Sequence, residues 1–344
     1  MKKRVIIIFG FIVILTLGAY IGVKSYYKSK VIDRPFNLSV DKVKLKINDG
    51  DTLNHVIEKF SSQNIIHSKY LMKYYFKYNN GDTNIIPGTY YIKKDMSLRT
   101  FIDMITKGKV SDNLIKVTIP EGFNVDEIGK RLEDNGIITK EDFMKSVKEY
   151  KLPNYIKKSS ERKYGLEGYL FPDTYDLEKG MDGNDIIDIM IERFEYIVKD
   201  IEKKQGKDID INVLDDIMNM ASIIEKEIVK DEERGKAASV FYNRINRNMK
   251  LQSCATVLYS LGIHKEELSN EDLKINSPYN TYLVDKLPVG PIASPGRASI
   301  EAALSPNSTN YLFFISNDDG THSFTSSDRE FLKLKEARDR RIKR

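Results

Sequence analysis

An internal repeat is the sequence feature that most constrains the fold of this chain. INDGDTLNHVIEKFSSQNII, residues 47–66, aligns with IPEGFNVDEIGKRLEDNGII, residues 119–138, at an offset of 72. Both copies have the pattern of a strand, an acidic-glycine turn and an amphipathic helix. A similar proline-containing strand pattern follows each copy, IPGTYYI in the first and FPDTYDL in the second. Two copies are too few for a solenoid, so the sequence predicts two related α+β units.

Helix-start signals lie at equivalent places in the two copies. Asn124 stands where an N-cap is expected, and Glu127 is placed to complete a capping box with it. In the first copy Thr52 occupies the cap position. The two predicted helices should therefore begin at the same point of the repeat.

The N-terminus predicts a membrane anchor. Residues 5–23 contain no charge, and basic residues 2–4 precede them. At about 1.5 Å per residue, such a helix crosses most of a hydrocarbon core roughly 30 Å thick. A cleaved signal peptide is the alternative, but its apolar region would be shorter, about 7 to 15 residues, and would end at small residues. We expect a retained single span at the cell membrane, with a cytoplasmic tip and an extracytoplasmic remainder.

Composition excludes several classes of protein. The 55 basic and 50 acidic residues are interspersed, so the net charge of +5 does not indicate a nucleic-acid partner. A single cysteine, Cys254, excludes an internal disulfide framework and a multi-thiolate zinc site. With only four histidines and no HExxH motif, the sequence predicts no metal and no other cofactor.

The C-terminal part has a helical pattern. An apolar stripe covers residues 213–228, and a second follows the charged run KDEERG, which the pattern presents as a break. A region rich in proline, glycine and serine, residues 277–296, precedes a short predicted helix at residues 298–304. A hairpin of YLFFIS and HSFT and a basic helical tail complete the chain.

A Glu-Lys-Glu triplet ends the first stripe. On a helical wheel, Glu225 and Glu227 flank the apolar face, whereas Lys226 points away from it. By spacing alone, such a triplet is typical of a solvated surface. A catalytic carboxyl needs a partly desolvated setting, which the border of a core stripe beneath a polar loop also provides. The pattern leaves both interpretations open.

Five motifs decide between them. They are MASIIEKEIVKDEERGKAASVFYNRINRNMKLQSCATVLYSLG, LEGYLFPDTY, SPYNTY, LPVGPIASPG and DGTHSFT. Together with the basic head and the apolar span, this set resembles the endolytic murein transglycosylases, the YceG-like or MltG family. The resemblance implies that Glu227 is the catalytic acid and that DGDTLNHVIEKF belongs to a LysM-like module. Many family members have Asp-Pro where this chain has Cys254-Ala255, and threonine where it has Ile228.

The resemblance also implies a sugar-binding cleft around Glu227. Amides, hydroxyls and aromatic rings suit a glycan, and the expected substrate-binding residues are Gln252, Ser253, Tyr279, Asn280, Thr281, Tyr282 and His322. Structural roles stay open for them: loop anchors for the tyrosines, an Asx turn for Asn280 and a structural hydrogen bond for His322. Glu225 is the second candidate acid, and Glu167 is expected to make an interdomain contact.

The expected fold class is α+β, with a mostly helical catalytic domain and a small hairpin. The predicted divisions are a tip (1–4), a transmembrane helix (5–23), a stalk (24–43), a LysM-like module (44–112), a second related α+β segment (113–205), the catalytic domain (206–335) and a basic tail (336–344). The expected activity is cleavage of the MurNAc-GlcNAc bond of nascent peptidoglycan strands to give 1,6-anhydro ends, beside peptidoglycan synthases as candidate partners. The alternatives are a non-catalytic, membrane-anchored peptidoglycan-binding protein and a hydrolytic muramidase.

Overall fold

A computed structural model describes most of the chain after its first 14 residues. The described residues are 15–23, 25–26, 33, 36, 38, 42–48, 50–62, 65–66, 69–70, 72–73, 85–107, 114–206, 208–263, 265, 267–317 and 319–342. The chain divides into two compact units, residues 1–112 and 113–344.

In its described residues, the first unit contains a two-stranded antiparallel sheet and a ten-residue helix after each strand. Its elements are β1 (Lys42–Ile47), α1 (Leu53–Ser62), β2 (Gly88–Lys93) and α2 (Leu98–Lys107). Leu45 of β1 lies opposite Tyr90 of β2. The core forms between the helices, where the rings of Phe60 and Phe101 meet edge to face at 4.7 Å.

Part of the predicted membrane span is described. Residues 15–23 are helical, whereas residues 5–14 lie outside the described residues. Within the described ranges, no helix is both long enough and apolar enough to cross a membrane.

The second unit contains most of the helices and two further two-stranded sheets. Its elements are β3 (Leu114–Thr118), α3 (Val125–Asp134), α4 (Lys140–Glu149), β4 (Thr174–Glu178), α5 (Gly183–Gln205), α6 (Ile211–Glu227), α7 (Asp231–Asn246), α8 (Cys254–Leu261), α9 (Arg297–Leu304), β5 (Phe313–Ser316), β6 (His322–Thr325) and α10 (Asp328–Ile342). β3 pairs antiparallel with β4, and β5 with β6. The described chain is therefore a mixture of helices and small sheets, as the α+β prediction requires.

The predicted repeat is confirmed as a repeated strand–turn–helix. Helix α1 begins at Leu53 and α3 at Val125, and both are ten residues long. The first strand of each unit pairs antiparallel with the strand that begins shortly after the proline of its motif. At the start of α3, the Glu127 amide donates to the Asn124 side chain, and the Asn124 amide donates to the Glu127 carboxylate. The capping box was correctly predicted.

One hydrophobic core runs through residues 113–344. Met218, Ala221 and Ile224 of α6 are fully buried in it, where α6 packs against α9 and α7. The helix ends at Glu227 because Ile228 adopts an extended backbone, while its side chain is buried. The buried Ile228 side chain fixes the end of α6 and leaves the Glu227 side chain at the edge of the core.

The expected break at KDEERG is wrong in its position. Only residues 228–230 leave the helix, and Asp231 begins α7. Acidic side chains are favoured in the first turn of a helix because the amide groups there carry partial positive charge. The run that looked like a break is therefore mostly a helix start.

The predicted hairpin, short helix and helical tail are all present. The hairpin is β5–β6, the short helix is α9, and α10 is described to residue 342. Phe331 of α10 stacks on Phe313 of β5 at 5.0 Å, so α10 packs on the hairpin.

Candidate active site

Glu227 is held by the start of helix α8. The Ser253 hydroxyl donates to Glu227 Oε1 at 2.5 Å, and the Ala255 amide donates to the same oxygen at 3.4 Å. Ser253 is the N-cap of α8, yet its hydroxyl makes no cap within its own helix. The Glu227 carboxylate takes that place, since it accepts from an amide of the first turn. Both donors converge on Oε1, so Oε2 is the oxygen left for chemistry.

Thr281 fixes the turn that presents Ser253. The buried Thr281 hydroxyl oxygen accepts from the Ser253 amide at 2.9 Å, and its carbonyl accepts from the Gln252 amide at 3.1 Å. A hydroxyl–hydroxyl bond of 2.8 Å joins Thr281 to Thr256 of α8. Gln252 adopts a positive φ of 54°, a strained conformation for a residue with a side chain. The loop thus imposes the geometry that directs Ser253 at Glu227.

Glu227 lies where two cavities meet, and together they form a groove with two arms. The first arm, about 770 Å³, runs between α3 and α8; its lining includes Asn124, Asp126, Lys163, Lys226, Ala255 and Tyr259. The second arm, about 590 Å³, runs toward the hairpin and α10; its lining includes Gln252, Ser253, Tyr282, Phe313, His322, Lys335 and Arg338. Glu227 and Cys254 line both arms. A chain that occupied both arms would pass Glu227 where the arms meet.

Four of the predicted substrate-binding residues line the second arm: Gln252, Ser253, Tyr282 and His322. His322 is held by Glu233, which accepts from its backbone amide at 3.1 Å and contacts its Nδ1 at 2.9 Å. The Tyr282 hydroxyl lies 3.3 Å from Cys254 Sγ, and burial raises the pKa of this tyrosine. The structural roles considered for His322 and Tyr282 are therefore compatible with a place in the groove wall.

The other three, Tyr279, Asn280 and Thr281, are buried and bonded within the protein. Tyr279 accepts from the Lys163 amide at 3.0 Å. Asn280 accepts from the Tyr282 amide at 3.0 Å, which is the anticipated Asx turn. These bonds support the groove from behind, and contact of the three residues with a glycan stays a prediction.

Glu225, the second candidate acid, has a structural environment. Its side chain is only 7% exposed and forms an ion pair with Arg234 at 3.1 Å. The Gly296 amide also donates to it at 2.9 Å. The two acids of the triplet are thus separated by the end of the helix: Glu225 faces the core and Glu227 faces the groove.

Sequence reasoning missed the charged lining of the first arm, which includes Asp126, Lys163 and Lys226. Burial alone would raise the pKa of Asp126, but hydrogen bonds from Lys163 and Lys140 hold it below its ordinary value. The helical wheel points Lys226 away from the core. At the end of α6 this direction leads into the groove, where Lys226 lines the first arm. Among the described residues, no cluster of three or more metal-ligating side chains is found.

Comparison with known proteins agrees with the motifs. The sequence model of the YceG-like family matches residues 45–337. An endolytic murein transglycosylase of Bacillus subtilis is 33% identical over 329 residues, which cover 92% of this chain and 90% of that protein. One of Streptococcus pneumoniae is 28% identical over 344 residues, which cover 92% of this chain and 61% of that longer protein.

A solved structure is similar as well. The crystal structure of a YceG-like protein from Listeria monocytogenes aligns with a TM-score of 0.56 at 33% identity, covering 86% of this chain and all of that one. The family match extends over most of the sequence and includes Glu227 and the residues named for both arms except Arg338. This chain therefore belongs to the YceG-like family.

Proposed function

We propose that this chain is an endolytic lytic transglycosylase that cleaves the MurNAc-GlcNAc bond of nascent peptidoglycan and leaves 1,6-anhydro-MurNAc ends. The observation that carries the proposal is the place of Glu227, at the junction of the two arms with one carboxylate oxygen held and the other left for chemistry. The names of the Bacillus and Streptococcus relatives support the same activity.

One carboxyl suffices for this reaction. Protonated on Oε2, Glu227 donates its proton to the glycosidic oxygen, and the bond to the muramyl C1 breaks. The C6 hydroxyl of the same sugar then attacks C1, and the Glu227 carboxylate takes its proton as the anhydro ring closes. Because the nucleophile belongs to the substrate, the protein has to supply orientation and proton transfer.

In the first arm, the acids other than Glu227 are held in structural contacts. A hydrolase uses a second carboxyl, either to activate water or to attack the sugar. Asp126 is ion-paired with Lys163 and Lys140, at 2.8 and 3.1 Å. Glu127 is committed to the capping box of α3. Both acids are therefore occupied in holding the groove wall.

Substitution of Glu227 tests the assignment, with wild type, Glu227→Gln and Glu232→Gln compared on purified sacculi and on lipid-linked nascent glycan. Glutamine keeps the shape of Glu227 but cannot donate the carboxyl proton, so we expect cleavage to fall by at least about 100-fold. Glu232 lies in the first turn of α7 and is exposed, so its substitution makes the same change of charge outside the groove. Turnover by Glu227→Gln near the wild-type rate would contradict the assignment.

The remaining parts of the proposal concern the rest of the chain. Residues 5–23 anchor the protein in the cell membrane with residues 24–344 outside, residues 44–112 act as a LysM-like module on the glycan, and peptidoglycan synthases work alongside. The uncharged stretch after three basic residues supports the anchor.

The single cysteine allows a test of topology. Cys254 is exposed, so a membrane-impermeant maleimide should label it in protoplasts, whose wall has been removed and whose membrane is intact. A Cys254→Ala variant gives the background. Labelling that appears only after lysis would contradict an extracytoplasmic catalytic unit.

A further inference from the structure

Glu167 is a buried carboxyl to which the proposed reaction assigns no role. Its side chain is 1% exposed. The backbone beside it is closely confined, because Gly168 has a φ of +86° and any Cβ there would lie 2.5 Å from Pro291 Cβ. Burying a carboxyl costs free energy unless its oxygens are hydrogen-bonded.

Each oxygen of Glu167 bonds to a different wall of the first arm. Oε1 accepts from the amide of Val125, the first residue of α3, at 3.0 Å. Oε2 accepts from the hydroxyl of Tyr259, on α8, at 2.8 Å. Asn124 and Tyr259 both line the arm, so the carboxyl lies behind its two walls and joins them.

Other contacts stiffen the α8 side of this link. The Tyr259 ring meets the Tyr279 ring edge to face at 4.8 Å, and the Lys163 ammonium lies 5.6 Å from its centroid. The charges that act on Glu167 are Lys163 and Asp126, which have opposite signs. Burial raises the pKa of Glu167 to about 8.

The same helix holds the proposed catalytic carboxyl. Helix α8 is eight residues long, or about 12 Å. Ser253 and Ala255 at its start bond to Glu227, and Tyr259 toward its end bonds to Glu167. A shift of so short a helix would move both contacts together.

We infer that Glu167 is a positioning residue, which fixes helix α8 against the start of α3 and so sets both the width of the first arm and the orientation of Glu227. The inference rests on the proposed function for its kinetic readout. It extends the expected interdomain contact, since Val125 and Tyr259 belong to the two segments that the sequence separates, 113–205 and 206–335.

The test compares Glu167→Ala, Tyr259→Phe, their double variant and Glu167→Gln in steady-state cleavage of nascent glycan. Glutamine can keep both bonds, since its oxygen accepts from Val125 and its amide donates to the Tyr259 oxygen; we expect it to stay within about threefold of wild type. Each of the other single variants should raise KM and lower kcat, with kcat/KM reduced about 10- to 100-fold. The double variant should be no worse than the worse single one, because both substitutions break the same link.

Three results would overturn the inference. The first is a Tyr259→Phe variant whose kcat and KM are near the wild-type values. The second is a double variant in which the kcat/KM losses of the two single variants multiply. The third is a loss of kcat/KM in Glu167→Gln equal to that in Glu167→Ala. Tyr259→Phe keeps the ring contact with Tyr279, so the test stands even where Glu167→Ala does not fold.

Glycan binding separates this inference from the proposed function. Adding Tyr259→Phe to Glu227→Gln should weaken binding of uncleaved glycan about 10-fold if the width of the arm is set through Glu167. Unchanged binding overturns the inference, whereas wild type without any cleavage overturns the proposed function alone.

Discussion

Removing the Asp215 carboxylate should destabilise the second unit far more than removing its neighbour Asp216. Asp215 is 2% exposed and forms a two-pronged ion pair with Arg162, itself 4% exposed, at 2.9 and 2.5 Å. The Tyr169 hydroxyl also donates to Asp215, at 2.6 Å. Asp215→Ala therefore leaves a buried guanidinium without its counter-charge and a buried hydroxyl without its acceptor.

The expected loss follows from these contacts. Breaking a buried ion pair by removing one partner costs about 3–5 kcal/mol, and an unsatisfied buried hydroxyl costs about 1–3 kcal/mol. Arg162 keeps a bond from Nε to the Val289 carbonyl at 2.9 Å, which limits the loss. We expect the free energy of unfolding to fall by about 4 kcal/mol. Asp216 pairs with Lys157 while both are about half exposed, so Asp216→Ala should cost at most about 1 kcal/mol.

Urea denaturation of the full chain in mild detergent, followed by far-UV circular dichroism, measures both variants under the same conditions. The chain has no tryptophan, so helix content is a better signal than intrinsic fluorescence. A loss below about 1 kcal/mol for Asp215→Ala, or equal losses for the two variants, would refute the reasoning.

Three further predictions concern the Glu167 carboxyl, the adjacent Gly168 and the hydrogen bond from Ser253 to Glu227. The unfolded chain releases the Glu167 proton near pH 4.5, whereas the folded chain holds it to about pH 8. As the pH rises between those two values, the free energy of unfolding of wild type should therefore fall by about 1.4 kcal/mol per pH unit relative to that of Glu167→Gln. Urea denaturation at several pH values measures it, and parallel pH profiles of the two proteins would contradict the prediction. In Gly168→Ala the added Cβ would overlap Pro291 in addition to straining the backbone, so the free energy of unfolding should fall by about 2–4 kcal/mol. In Gly180→Ala the added Cβ meets nothing, and the loss should be about 1 kcal/mol. Thermal unfolding ranks the two variants, and equal losses would argue against the overlap with Pro291. Ser253→Ala removes the hydroxyl that donates to Glu227, so it should lower kcat about 10-fold with little change in KM. Ser260 lies on helix α8 but donates to the Thr256 carbonyl, so Ser260→Ala should leave kcat and KM unchanged. Equal kinetics of the two variants would exclude a positioning role for the Ser253 hydroxyl.

The sequence predicted those parts of the fold that depend on local signals. The helix starts of the repeat, the capping box at Asn124 and the β5–β6 hairpin each follow from residues within a few positions of one another. Hydrophobic periodicity also placed Glu227 at the border of the buried stripe of α6. What periodicity could not give is the end of that helix at Glu227, which turns this border into a groove wall.

The support of the site depends on contacts distant in sequence, which no local pattern shows. Ser253 is 26 residues from Glu227, and its hydroxyl donates to that carboxylate. Glu167 bonds to Tyr259 across 92 residues. Amides and hydroxyls suited to sugars are equally suited to holding loops, as the buried Asn280 and Thr281 illustrate.

The mass of the ends released from nascent glycan by wild type tests the central claim most directly, since intramolecular attack and hydrolysis differ by one water. We predict that the new muramyl ends weigh one water less than hydrolysed ends and that they disappear with Glu227→Gln. Ends carrying the full water would contradict the single-carboxyl mechanism and identify a muramidase, and the absence of new ends from wild type would identify a glycan-binding protein.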